Sequence, residues 1–200
     1  MILVGYSIDA SVAALLAARY PQIVNALVIV DGGLPFLPAN AEAAQTITGS
    51  LVERLSTRFD SLEEALDSWR THPGRAELLL HAQQSADVER FFSHDIIPID
   101  DDGFGFSHQT ETISADMQVM VMDDDLRDSV SSMNARTSVL GASHDLMNRE
   151  GGMYNELSVK SSGIPAQANL ACVQGTNHYS IVLGPIGSTQ IAQAALARMS

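Results

Sequence analysis

Three side chains in this sequence carry the chemistry of nucleophilic catalysis, and each stands just after a short apolar run. Ser7 follows Met1-Ile2-Leu3-Val4-Gly5-Tyr6, Asp145 follows the run from Thr137 to Gly141, and His178 follows the run from Ala168 to Gln174. A serine hydroxyl is a weak nucleophile until a neutral imidazole accepts its proton, and the imidazole needs a carboxylate to orient it. The residue types suffice for acyl transfer if the fold brings them together.

The elements around them predict that it does. Met1 to Arg19 reads as strand, tight turn and helix: an apolar run, Gly5-Tyr6-Ser7-Ile8-Asp9, then an alanine-rich stretch with Val12, Leu15 and Leu16 at helical spacing that Pro21 ends. Such a turn exposes the Ser7 hydroxyl at the carboxyl end of the strand, with the first N–H groups of the helix beside it. Ile23 to Val30, with Leu27-Val28-Ile29-Val30 unbroken, reads as a strand buried on both faces, the signature of a parallel sheet. Parallel strands align their carboxyl ends, so Asp31-Gly32-Gly33, Asp145 and His178 fall on the same edge as Ser7. A helix is predicted from Arg149 to Val159, and Gly187 to Met199 closes the chain as another.

Between the second and third strands the pattern changes. Pro35 and Pro38 break the chain, and the following hundred residues read as mostly helical: Ala41 to Thr57, Leu62 to Trp69 with Ser61 and Glu64 as a capping box, Arg75 to His94, and Ser114 to Ser132. Ile96 to His108 reads as a turn with short extended flanks. The division expected is therefore a core of residues 1–33 and 134–200 with an insertion of residues 34–133, which would form a lid over the carboxyl end of the sheet.

Composition narrows the partners. A formal charge of −13 over 200 residues repels nucleic-acid phosphates and anionic lipid surfaces, and 46% hydrophobic residues support a real core. No apolar run reaches the length of a membrane span and no basic n-region opens the chain, so the cytoplasm is the compartment expected. The single cysteine, Cys172, is read as a small buried hydrophobe. His81, His94 and His108 match no metal-ligand spacing and are read as solvated, as are Asp100 to Asp102 and Asp123 to Asp125; no metal or cofactor is expected. Met117, Met120, Met122, Phe91 and Phe92 are read as packing residues.

Four segments, taken in order, resemble an α/β-hydrolase: Leu3-Val4-Gly5-Tyr6-Ser7, Leu27-Val28-Ile29-Val30-Asp31-Gly32, Gly141-Ala142-Ser143-His144-Asp145 and Gly175-Thr176-Asn177-His178-Tyr179. The resemblance covers all 200 residues and implies a partial α/β-hydrolase fold, with strands equivalent to the family's last four in a mostly parallel sheet and a helical lid. It implies Ser7 as nucleophile, His178 as general base then acid, Asp145 as the acid that orients it, and the Ile8 N–H as one oxyanion donor. Asp31 is the alternative acid, because some relatives place theirs on the strand before the lid. His144 adjoins the preferred acid and is expected to face solvent or the lid.

An ester or related acyl compound is the substrate class this implies, without a cofactor. The first four strands of such a fold and its second oxyanion donor lie outside the sequence, so a truncated fold is expected. Its exposed edge Ile2-Leu3-Val4 would favour self-association. Asp9 stands where the family has glycine, and a side chain held there at positive φ would cost about 1 to 2 kcal/mol. A catalytically inactive hydrolase-fold remnant or binding module is the competing reading.

Overall fold

The computed structural model describes residues 1–34, 49, 52–76, 78, 82–99, 103–107, 111–112, 114–116, 124–133, 135–154 and 163–198. The chain divides into two compact units, Met1–Phe36 with Asp123–Ser200, and Leu37–Met122.

The first unit holds a four-stranded parallel sheet of β1 (Ile2–Tyr6), β2 (Ala26–Val30), a third strand (Arg136–Ala142) and a fourth (Asn169–Val173), hydrogen-bonded in that order. In register, Ile2 lies opposite Ala26, Ala26 opposite Arg136, and Ser138 opposite Asn169. All five residues of β2 are buried, as a central parallel strand requires. Its side chains alternate between two cores. Leu27 and Ile29 join Ala10, Ala14 and Ala17 of helix α1 (Ile8–Arg19), whereas Val28 and Val30 join Leu140, Val173 and Ile181. Helices therefore cover both faces, and the parallel α/β class expected from the sequence is the class observed.

Small residues set how closely α1 approaches the sheet. A Cβ on Gly5 would lie 2.5 Å from Ala10 Cα, so the strand and helix meet there without a side chain between them. β1 is an edge strand among the described residues, and Val4 is half exposed.

Several expected boundaries move for identifiable reasons. The stretch after Arg149 is not helical through Tyr154: Asn148, Gly151 and Gly152 all have positive φ, and Asp145 collects hydrogen bonds that hold a loop. Residues 155–159 of that predicted helix lie outside the described residues, as do most of the predicted helix 41–57 and the residues Asp100 to Asp102, Asp123, His81, His108, Met117, Met120 and Met122. The segment Asp124–Ser132, assigned from sequence to the insertion, packs with the sheet unit. Val130 and Met133 enter the α1-side core, and Arg19 pairs with Asp125 at 3.5 Å. The last helix begins at Pro185, where the missing N–H costs nothing at the first helical position, and ends at Leu196.

The second unit contains helices α2 (Leu62–Arg70) and α3 (Ala82–Ser93) and an antiparallel hairpin of β3 (Ile96–Pro98) and β4 (Phe104–Phe106). The predicted cap is present: Ser61 Oγ accepts the Glu64 N–H at 3.1 Å, and Glu64 Oε2 reaches back to the Asp60 N–H at 2.8 Å. Of the helix predicted from Arg75 to His94, α3 holds Ala82–Ser93, and Arg75, Ala76 and Leu78 lie outside it. Phe59, Ala65, Ile96 and Phe106 form the core, with Trp69 packed on it. The Trp69 ring also stacks on Phe92 at 4.3 Å and carries the Arg75 guanidinium 3.1 Å from its centroid. Phe92 is buried as expected, and Phe91 is half exposed. With the units and their elements placed, the remaining strands and helices of the first unit are numbered α4 (Asp124–Ser132), β5 (Arg136–Ala142), β6 (Asn169–Val173), α5 (Ser180–Leu183) and α6 (Pro185–Leu196).

Candidate active site

Ser7 occupies the turn between β1 and α1 with φ 54° and ψ −126°, a left-handed conformation that a non-glycine residue holds only under constraint from its surroundings. The constraint is visible on both sides. The Ser7 N–H donates to Val30 O at 3.0 Å, continuing the sheet ladder past the end of β1. Gly32 approaches so closely that a Cβ there would lie 2.1 Å from Ser7 O. Ile8 is the first residue of α1, so its N–H has no acceptor within the helix and lies beside the serine.

The strain sits on Ser7 and not on Asp9, which corrects the sequence expectation. Asp9 lies in the first turn of α1, is exposed and is absent from the positive-φ residues. A carboxylate in that turn also complements the partial positive charge of the helix N-terminus. Asp9 therefore puts no strain into the turn.

His178 lies in the loop between β6 and α5, a loop fastened at several points. Thr176 Oγ1 donates to Val173 O at 2.7 Å, and Asn177 Oδ1 accepts the N–H groups of both Tyr179 and Ser180 at 3.0 Å. The Asn177 amide in turn donates to Asn148 Oδ1 at 3.0 Å, tying this loop to the one after β5. Asn177, which sequence reasoning passed over, is buried; its place one residue before the candidate base was the available signal.

The carboxylate facing the imidazole belongs to Asp31, the first residue after β2. Asp31 Oδ2 lies 2.7 Å from His178 Nδ1, with 0% of the Asp31 side chain and 6% of the His178 side chain exposed. The other oxygen, Oδ1, accepts the Ala142 N–H at 3.0 Å, and the Asp31 N–H donates to Leu140 O at 2.8 Å. An ionised carboxylate only accepts, so Nδ1 carries the proton and Nε2 of a neutral ring is left as the acceptor. The Asp31 charge also acts on Tyr154: burial first, and then this charge, push the Tyr154 phenol well above its ordinary pKa.

Asp145 does not reach His178. Its Oδ1 accepts the N–H groups of Met147 and Arg149 at 2.9 Å, and its Oδ2 accepts Arg149 Nε at 2.7 Å. Partial burial raises its pKa, but the Arg149 side chain and the two backbone N–H groups outweigh that and hold the carboxyl below its ordinary value. The preferred acid of the sequence reading is thus spent on its own loop, and the alternative is the residue paired with the ring. His144 is half-buried, its Nδ1 2.9 Å from Ser143 Oγ and its N–H donating to Thr176 O at 3.0 Å.

Ser7 Oγ forms no hydrogen bond with His178 in this structure. Serine–histidine contacts are commonly loose before substrate binds. What brings the two loops together is Tyr6, whose hydroxyl donates to His178 O at 2.8 Å and whose ring lies 4.9 Å from the imidazole. Cys172 departs from expectation, being exposed on the outer strand β6 with its Sγ 3.2 Å from Gln174 Nε2. Among the described residues no group of three or more His, Cys, Asp or Glu side chains could hold a metal ion, and no helix is long and apolar enough to cross a membrane.

No family model and no curated sequence matches the chain. Solved structures do. E-2-(acetamidomethylene)succinate hydrolase superposes with a TM-score of 0.70 at 17% identity, over 98% of this chain and 66% of that one. An esterase of M. tuberculosis gives 0.68 at 17% identity, over 98% and 62%. An α/β-hydrolase enzyme from a Medee basin deep-sea metagenome library gives 0.59 at 16% identity, over 99% and 64%. The chain thus spans about two-thirds of the length of the structures it matches. At these identities the likeness speaks to architecture, and the architecture is that of the α/β-hydrolases.

Proposed function

We propose that this chain carries the catalytic triad of a serine hydrolase acting on an ester or related acyl substrate, with Ser7 as nucleophile, His178 as base and Asp31 as the orienting acid. The observation that carries the reading is the buried Asp31–His178 pair, at the same edge of the sheet as a serine held at φ 54°. A buried carboxylate on Nδ1 fixes the tautomer that an acyl-transfer base needs and stabilises the imidazolium that forms.

In this reading Nε2 takes the Ser7 Oγ proton as the oxygen attacks the acyl carbon. The carbonyl electron pair moves onto its oxygen, where the Ile8 N–H donates to it. Collapse of this intermediate expels the alcohol, which receives the proton from Nε2, and a water activated by the same ring hydrolyses the acyl-serine. Each step uses a side chain at the carboxyl edge of β1, β2 or β6.

The sheet's relatives among solved structures include an esterase, which supports the acyl class. One observation favours a second reading, a hydrolase-fold binding module without turnover: the His178 ring is hydrogen-bonded to Asp31 and not to Ser7 Oγ. A fluorophosphonate distinguishes them. Labelling of the folded chain that disappears in Ser7→Ala supports the hydrolase, and folded chain that resists labelling supports the module.

A further inference from the structure

The residue immediately before the candidate nucleophile touches the candidate base twice. The Tyr6 hydroxyl donates to the main-chain carbonyl of His178 at 2.8 Å, a bond between residues 172 positions apart, and the Tyr6 ring packs against the imidazole with centroids 4.9 Å apart and planes inclined at 32°. Tyr179 closes against the ring from another side, edge-on at 5.5 Å. Asp31 fixes the imidazole through Nδ1, but a single hydrogen bond leaves the ring free to pivot about it, and the bonds of Thr176 and Asn177 fasten the loop to β6, α5 and the loop after β5 rather than to β1, which carries Ser7.

Tyr6 limits the pivot and ties the loop to β1. Its backbone belongs to the last position of β1, paired with Val30, which directly precedes Asp31. The hydroxyl therefore measures the distance from the sheet to the His178 backbone, and the ring face limits the imidazole's tilt. Because the Ser7 turn leaves the same strand one residue later, any displacement of the His178 loop relative to Tyr6 is a displacement relative to Ser7.

We propose that Tyr6 is a positioning residue that holds the His178 loop at a fixed distance from Ser7, a role that rests on the serine-hydrolase reading for its catalytic consequence. The hydroxyl sets the loop position and the ring sets the imidazole plane. Tyr6→Phe removes the first, and Tyr6→Leu removes both.

The test reads two quantities on the full chain. One is the exchange with water of the His178 Nδ1 proton by NMR, which needs no turnover. The other is the saturation kinetics of Ser7 phosphonylation by a fluorophosphonate. Tyr6→Phe is expected to quicken proton exchange by about tenfold, the equivalent of one net hydrogen bond, and to lower the melting temperature by no more than about 5 °C. It should lower the limiting phosphonylation rate by a similar factor while the half-saturating concentration stays fixed. Tyr6→Leu should change both further; if it fails to fold, Tyr6→Phe decides alone. Unchanged proton exchange in Tyr6→Phe overturns the proposal, as does a rate loss accounted for by chain already unfolded at the assay temperature. Wild-type chain that resists the phosphonate defeats the hydrolase reading instead, and proton exchange still decides whether Tyr6 holds His178.

Discussion

Asp31 Oδ2 and His178 Nδ1 lie 2.7 Å apart across 147 residues of sequence, both side chains sealed from solvent. Asp145, at the end of the neighbouring strand, is bound instead to Arg149 four residues on. The two carboxylates therefore have different consequences when removed. Asp31→Asn keeps the shape but offers the ring a donor or a weaker acceptor, and esterase activity or phosphonate labelling is expected to fall by about 10⁴-fold. Asp145→Asn should cost less than about tenfold, since it loosens a loop and leaves the ring's partner in place. Comparing the two variants' rates on one substrate decides between them; equal losses would refute the assignment of Asp31.

The Ser7 turn predicts an opposition between stability and reactivity. Ser7→Gly relieves a positive φ and is expected to stabilise the fold by about 1 kcal/mol while abolishing labelling. Gly32→Ala drives a methyl into Ser7 O and Cα, 2.1 and 2.5 Å away, and is expected to destabilise by about 1 to 3 kcal/mol with loss of labelling. Urea midpoints of the two variants should move in opposite directions.

Burial, aided by the Arg75 and Arg54 charges, lowers the His72 pKa to about 4, against 6.5 for the unperturbed group. Between these values the unfolded chain binds a proton that the folded chain refuses. The stability of the second unit is therefore complete above about pH 6.5 and declines as the pH falls toward 4. Unfolding followed through Trp69, the chain's one tryptophan, should show this slope, and His72→Gln should flatten it. A midpoint independent of pH over that range would contradict the argument.

Cys172, exposed on β6, is expected to react with a disulfide reagent in the native state, one thiol per chain and without denaturant. A thiol that appears only on unfolding would show that the outer strand is covered.

How much of this could be read from the sequence depends on whether local pattern or tertiary packing decides. The β2 run Leu27 to Val30 is apolar at every position, which only a doubly covered strand tolerates, and it folds as one. The turn at Ser7 was legible because strand, small residue and alanine-rich helix are all local signals. The acid was not. Asp31 and Asp145 both follow sheet strands at the same edge, and nothing in spacing separates them. The choice is made by Arg149 and two backbone N–H groups capturing one carboxylate, and by Ala142 N–H and the imidazole receiving the other. Cys172 was misjudged for a related reason: an apolar run predicts a strand, but whether that strand is central or outermost depends on the order of the sheet.

The Asp31 carboxylate is braced by the Ala142 N–H of β5 and by its own backbone bond to Leu140, so its position is set by the sheet alone. The loop that runs from Ser143 to Gly152 is thereby released from holding an acid. It still meets the His178 loop at two places: Asn148 Oδ1 accepts the Asn177 amide, and the His144 N–H and Ser143 Oγ donate to Thr176 O. If residues 149–152 were lengthened or exchanged with Asn148 kept, the Asp31–His178 pairing should survive. That makes this loop the part of the sheet unit best suited to carry new contacts to a substrate without retuning the chemistry.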